Sequence, residues 1–422
     1  MRPLAVYVHI PFCVKKCAYC DFLSFPPEAL PAGSEETKRR YFSALLAETD
    51  HAAQELRSGR TAAGTESCQP ADGFEIRSIY FGGGTPSLAD AEEIAGVIAR
   101  LRRHFPVAPD AEISMECNPG TVSVDKLRAL RETGINRLSI GVQSFDDTEL
   151  TLLGRIHTAA GAERCFRDAR AAGFDNVNLD LMAALPGQTA EALLCNVERA
   201  VSLSPEHISL YSLIIEPGTP FFSRYGEEVS DPHAAPRSER TQPHLPDEDA
   251  EREMVHAAWS RLEEAGYHRY EISNFARGNL RCRQNLVYWE RGEYLGLGLG
   301  AASLLDETRF SNTRDLKLYL DAFADRAAAS DANADTGMIR ENIERLDEPA
   351  RMEEFMFLGL RLTEGVQEQR FADTFHREID SVYGETLRKL VREGLISRRD
   401  GRIFLTPYGT DIANYVMAAF LF

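Results

Sequence analysis

Leu4-Ala5-Val6-Tyr7-Val8-His9-Ile10-Pro11-Phe12-Cys13-Val14-Lys15-Lys16-Cys17-Ala18-Tyr19-Cys20 opens the chain with an apolar run and a crowd of thiols. Residues 4–10 are apolar and rich in β-branched side chains, the pattern of a buried strand. Pro11 ends the run, because proline has no amide to give a ladder. Three of the eight cysteines follow within eight residues, on a loop at the strand's C-terminal end. The others, at 68, 117, 165, 195 and 282, are scattered singly, which is not a disulfide framework. In a reducing compartment a tight thiol cluster more often binds metal or does redox chemistry than cross-links. Lys15 and Lys16 favour the thiolate that ligation requires. Three thiolates suit a 4Fe-4S cluster with one open iron, or zinc with a fourth ligand from elsewhere, and spacing alone does not separate the two. The x3 then x2 spacing does differ from the paired knuckles of structural zinc sites, and no HxxxH partner follows.

Outward from this strand the chain alternates. Leu4–Ile10, Ile76–Phe81, Glu112–Met115, Arg137–Val142, Asn176–Met182 and His207–Leu213 read as strands, and Tyr41–Leu56, Ala91–Phe105, Val124–Thr133, Ala159–Ala172 and Glu191–Leu203 as helices. Six βα units imply a parallel sheet with right-handed crossovers, an α/β fold of the open (β/α)6, partial TIM-barrel type. In such barrels chemistry gathers at the C-terminal ends of the strands, where Cys13, Gly82–Thr85, Glu116, Gln143 and Asp180 fall. The expected organisation is a barrel over 1–225, a surface insertion at 226–247, a barrel-completing aromatic and Gly-rich segment with linker over 248–335, and a terminal domain over 336–422. Residues 58–73 read as a second surface insertion. The helical Thr386–Glu393, the charged turn Arg398–Arg402 and the short run Ile403–Leu405 give the terminal domain an α+β, winged-helix-like character.

Composition bounds the partners. With 422 residues and 44% hydrophobic content the chain can bury a large core, and Lys+Arg 47 against Asp+Glu 65 leaves a net charge of −18. That field repels phosphate backbones and anionic headgroups, so nucleic acid is not an expected partner. No apolar run is long enough to span a bilayer and no signal-peptide pattern precedes Cys13, so the expected location is cytoplasmic.

Gly82-Gly83-Gly84-Thr85-Pro86 follows a strand directly and lacks the lysine of a phosphate-binding P-loop. Gly296-Leu297-Gly298-Leu299-Gly300 echoes a dinucleotide fingerprint but lacks its βαβ setting, and reads as a tight strand and turn. Cys-x3-Cys-x2-Cys with Tyr19 before the third cysteine resembles the radical S-adenosylmethionine (SAM) superfamily, in which SAM occupies the open iron of a 4Fe-4S cluster. Tyr7–Cys13, Ser114–Pro119, Ser139–Phe145, Leu153–His157 and Asn178–Met182 stand in the order of the branch that holds oxygen-independent coproporphyrinogen III oxidase and the HemW-type heme chaperones.

The resemblance implies Cys13, Cys17 and Cys20 as cluster ligands, and Tyr7, Tyr19, Gly84, Thr85, Glu116, Gln143, Arg155, Asp180 and Ile214 around SAM. Carboxylates and amides can hold ribose hydroxyls and an amino group, and Arg155 can take a carboxylate. Phe22 stands where the oxidase has a further cysteine, which favours the chaperone side of the branch. That side usually carries His-Asn-x-x-Tyr-Trp, and here Gln284 precedes Asn285, Tyr288 and Trp289. An amide is a poor iron ligand, so Cys282 and His268 are the nearby candidates for heme. The implied function is heme binding and transfer to acceptor hemoproteins, with a flavodoxin- or ferredoxin-type reductant as a further partner and a homodimer admitted. The alternative is an oxygen-independent coproporphyrinogen III dehydrogenase.

Overall fold

The computed structural model describes residues 1–30, 33–58, 73–230, 243–323 and 339–422. The core is a run of parallel strands with covering helices: β1 Arg2–Ile10, α1 Ser34–Ser58, β2 Phe74–Gly83, α2 Ala91–His104, β3 Val107–Cys117, α3 Val124–Thr133, β4 Arg137–Gln143, α4 Asp147–Leu153, α5 Ala159–Ala171, β5 Val177–Ala183, α6 Ala190–Leu203 and β6 His207–Ser212. Each strand pairs in parallel with the next, as six βα units demand. Near-continuous burial along β1 and β4 reflects cover on both faces, which is why these strands read as apolar runs rather than alternations. Helix starts are chemically marked. Ser123, Thr158 and Thr189 each accept a backbone amide of the first turn, and Asp90 with Glu93 closes a capping box. Helix α4 is an addition to the expected pattern. It is one short element between Gln143 and Gly154, capped by Asp146.

The sheet extends at both edges. After α7 Pro220–Ser230 and α8 Glu248–Glu264, the short strands β7 His268–Arg269 and β8 Asn274–Ala276 pair antiparallel beyond β6. Following α9 Arg283–Trp289, strand β9 Tyr294–Leu297 lies parallel to β1 on its free side. β10 Ala302–Leu305 and β11 Thr308–Asn312 follow, then α10 Leu316–Phe323 and β12 Arg340–Arg345. The order is β12-β11-β10-β9-β1-β2-β3-β4-β5-β6-β8-β7, twelve strands in one open sheet. β1, with its thiol loop, therefore sits between neighbours on both sides. Residues 59–72, 231–242 and 324–338, which contain Cys68, most of both expected insertions and most of the linker, lie outside the described residues. Pro243 and Leu245 return onto the barrel, Pro243 against Gly187 and Leu245 against the cluster of Leu153, Met182, Leu185, Phe221 and Tyr225.

A second hydrophobic core is built from α11 Glu348–Gly359, β13 Val366–Gln367, α12 Glu368–Phe375, α13 Ile379–Arg392, β14 Ile396–Arg399, β15 Arg402–Leu405, α14 Pro407–Asp411 and α15 Ala413–Ala418. Its three strands order β13-β15-β14, the helix-then-hairpin arrangement of a wing. Glu354 on α11 ties this unit to the sheet, accepting from Arg291 Nε at 2.9 Å and Arg309 Nη2 at 2.5 Å. Among the described residues no helix is long and apolar enough to cross a membrane.

Candidate functional site

The thiol loop is held by backbone bonds at both ends. Cys13 N donates to Phe25 O at 3.1 Å, Phe25 N to Pro11 O at 2.7 Å, and Ala18 N to Leu153 O at 3.0 Å. The glycine loop after β2 lies alongside, with Gly84 N donating to Ile10 O at 2.9 Å and Thr85 N to Phe12 O at 2.7 Å. Only glycine fits at 84, since a Cβ there would stand 2.6 Å from Phe12 O and 3.1 Å from Cys13 Sγ. Cys13, Cys17, Tyr19, Cys20, Gly84, Thr85, Glu116, Gln143, Arg155 and Asp180 all border one cavity of about 340 Å³ at the C-terminal ends of the strands.

Two of the thiols have named neighbours. Thr85 Oγ1 reaches Cys13 Sγ at 3.5 Å and Arg155 Nη1 reaches Cys17 Sγ at 3.6 Å, each aiming a donor at sulfur. Arg155 Nη2 also bonds Asn118 Oδ1 at 2.6 Å and Gly141 O at 2.7 Å, while its buried Nε has no partner. A Cβ on Gly141 would meet Asn118 Oδ1 at 2.7 Å, so this glycine keeps room for the arginine. Burial pushes the Cys20 thiol up to about 11, so a thiolate there needs a cation beside it. Lys15 and Lys16 border the cavity as expected of that requirement. The donor set thus fits an iron–sulfur cluster: three thiols, donors aimed at two of them, and space beyond.

The carboxylates lie deeper. Glu116 accepts from Gly83 N at 3.0 Å and Tyr80 Oη at 3.1 Å, and burial, with the charge of Asp180, raises its carboxyl to about 7. Asp180, also raised by burial, accepts from Asn178 Nδ2 at 2.8 Å and Ser139 Oγ at 3.2 Å. Gln143 ends β4 at φ 66°, a left-handed conformation of the kind that clusters at binding sites.

Tyr7 and Ile214 do not border the cavity. Tyr7 stands one layer behind, its ring stacked on Tyr80 at 6.3 Å, and Ile214 is 69% exposed beyond the end of β6. Asn118, Arg137, Ser139, Asn178, Ser209 and Tyr211 border the cavity although no motif singled them out. Asn118, Ser139 and Asn178 sit inside quoted motifs, and only their placement on inward faces marks them. Cys282 also borders the cavity but is buried and kept as a thiol, pushed up to about 12 by burial. Gln284 is buried too, its Oε1 accepting from Ser78 Oγ at 2.9 Å and its Nε2 donating to Tyr288 Oη at 3.0 Å. His268 lies exposed on β7 at the sheet's edge.

The chain matches the radical SAM superfamily model over residues 7–194 and the HemN C-terminal domain model over 346–412. It is 35% identical to the heme chaperone HemW of Bacillus subtilis (strain 168) over 418 residues, 99% of each chain. The chain belongs to the HemW family. The Escherichia coli (strain K12) HemW is 39% identical over 301 residues, covering 71% of this chain and 70% of that one. Coproporphyrinogen III oxidase (HemN) from E. coli superposes with a TM-score of 0.76, covering 99% of this chain and 90% of that one; at 23% identity this establishes the shared fold. As a HemW-family member with a radical SAM domain, the chain takes a 4Fe-4S cluster and SAM as its cofactors. When bound, that pair supplies one-electron reduction of SAM at the open iron.

Proposed function

We propose that the protein is a heme chaperone that binds heme at the mouth of the thiol-lined cavity and passes it to acceptor hemoproteins. One observation carries this reading. Val14, Phe22, Ile156 and Tyr211 all border the cavity and all are exposed, Phe22 to 68%. Exposed large apolar side chains gathered at one opening mark a binding surface, and a flat apolar macrocycle suits them. The relatives named heme chaperone HemW support the same ligand.

Within this reading Cys13, Cys17 and Cys20 ligate the cluster. Gly84, Thr85, Glu116, Gln143, Arg155 and Asp180 orient SAM, with Tyr19 against the loop. Tyr7 and Ile214 belong to the same set of SAM contacts, Tyr7 from behind Tyr80 and Ile214 from the segment after β6. Cys282 and His268 remain the candidate heme ligands, and Cys282→Ser is expected to change the absorption spectrum of bound heme. A flavodoxin- or ferredoxin-type reductant, a homodimeric state and a cytoplasmic setting belong to the same proposal. So does the division into a barrel over 1–225, the 226–247 insertion, the completing segment to 335 and the terminal domain.

The test is heme titration of cluster-loaded protein against Phe22→Ser and Ile156→Ser. The expected result is saturable binding that each variant weakens roughly tenfold, the scale of one buried apolar side chain. Absence of heme binding, or binding by both variants equal to that of wild type, would sink the reading. Decarboxylated product from coproporphyrinogen III in an anaerobic assay with SAM and reductant would replace it with the dehydrogenase.

A further inference from the structure

Arg137 is the first residue of β4, and its side chain is 2% exposed, yet it borders the cavity. Its Nε has no hydrogen-bond partner, and the carboxylate of Glu112 acts on it through space rather than by a hydrogen bond. A guanidinium does not shed its proton in a protein, so this is a permanent buried charge.

The groups around it do not neutralise it by contact. The Cys282 thiol is its first electrostatic neighbour and stays neutral by burial. Glu112 is near, but its Oε1 is taken by Arg283 N at 3.0 Å and Ser114 Oγ at 3.2 Å. Asp180 acts on Arg137 from a distance while Asn178 and Ser139 hold its oxygens. His207, bonded to Asn178 and Tyr270, is buried and neutral. A buried charge is ordinarily paired, and a planar fork of donors matches a carboxylate. Among the described residues Glu112 and Asp180 act on it only through space, and no carboxylate bonds it.

We propose that Arg137 is a carboxylate-binding residue at the floor of the cavity, filled by an acid group of the ligand that enters from above. The depth argues for the source. Gly141, whose carbonyl holds Arg155 beside Cys17, lies four residue steps along β4 from Arg137. At roughly 3.3 Å per residue that is about 13 Å, so one group near the thiols does not reach the floor. A flat macrocycle that enters edge-on from the mouth, with an acid-bearing arm leading, does. On the heme reading above, on which this choice of ligand rests, the arm is a propionate; the other source of the same chemistry is the amino-acid carboxylate of SAM.

The experiment compares heme, heme dimethyl ester and SAM as titrants of the cluster-loaded protein, its Arg137→Gln variant and its Arg137→Lys variant. The wild-type comparison of heme with its ester needs no variant, so a misfolded substitution does not blunt the test. Wild type is expected to prefer heme over the ester by roughly thirtyfold or more, the scale on which a buried charge pair loses one partner. Arg137→Gln should erase that preference and Arg137→Lys restore part of it, with SAM binding unchanged in both. Equal binding of heme and ester by wild type, or an intact preference in folded Arg137→Gln, overturns the propionate assignment. A thirtyfold loss of SAM affinity in Arg137→Gln, with the heme preference kept, overturns it as well and gives the site to SAM. If wild type binds neither heme nor its ester, the heme chaperone reading falls separately. Arg137 as a carboxylate site then stands or falls on the SAM arm alone.

Discussion

Each thiol of the loop meets a different neighbour, Thr85 for Cys13, Arg155 for Cys17 and an enclosing wall for Cys20. Replacing any one with alanine removes one of three ligands, so Cys13→Ala, Cys17→Ala and Cys20→Ala are each expected to lose the cluster. Iron and acid-labile sulfide content reads this directly, and wild-type content in one variant would remove that cysteine from the set. Asp180→Ala and Gln143→Ala should keep the cluster and weaken SAM roughly tenfold, the worth of one charge-assisted or amide hydrogen bond. Calorimetry on loaded protein checks it, and native affinity would free those residues of the role. The thiols were legible in the sequence because their spacing is itself the signal. Arg137 was not. A buried arginine is rare enough that sequence reading defaults to exposure, and only the inward face of β4 reveals it.

Helix α1 carries a buried carboxylate that shows what element packing does to acidity. Glu48 accepts from Gly298 N at 2.8 Å, Asn312 Nδ2 at 2.5 Å and Tyr319 Oη at 2.6 Å, so it stitches α1 to the segment after β9, to β11 and to α10. Burial outweighs these donors and lifts the carboxyl to about 6. Its folded pKa is above the unfolded one, so its contribution to stability is full below about pH 4.5 and is lost as pH rises through about 6. Wild type is therefore expected to lose about 2 kcal/mol relative to Glu48→Gln between pH 4.5 and 7, which urea unfolding at the two pH values measures. A pH-independent difference between the two proteins would contradict this. The elements Glu48 joins were the harder ones to read. β9 to β11 are short and β9 holds a glycine, while β12 is Arg-Glu-Asn-Ile-Glu-Arg, an edge strand almost wholly exposed, and so without the alternation that betrays a half-buried strand. The six central strands were legible because burial on both faces leaves short, mostly apolar runs, broken by the polar residues that face the cavity.

At the scale of the whole molecule, two cores meet through a set of polar bridges, among them Arg361–Glu271, His256–Asp411 and the pairs of Glu354. Glu354 is buried and holds the buried Arg291 together with the more exposed Arg309. Glu354→Ala would leave the Arg291 Nε unpaired, with Glu307 still on its Nη2, and is expected to cost about 2 kcal/mol in chemical unfolding. Arg309→Ala, removing the exposed member, should cost under about 1 kcal/mol. Equal costs would show the bridge is not selective. The sequence separated the terminal module by its helix and hairpin but carried no mark of this joint, since the three residues lie on three distant elements.

The position of β1 has a consequence for how the chain is born. One of its two sheet neighbours, Tyr294–Leu297, is translated nearly three hundred residues after it. Until then the strand that carries the thiols has an open edge, and open edges recruit other chains. Truncation before residue 294 should thus yield aggregate rather than a smaller soluble barrel.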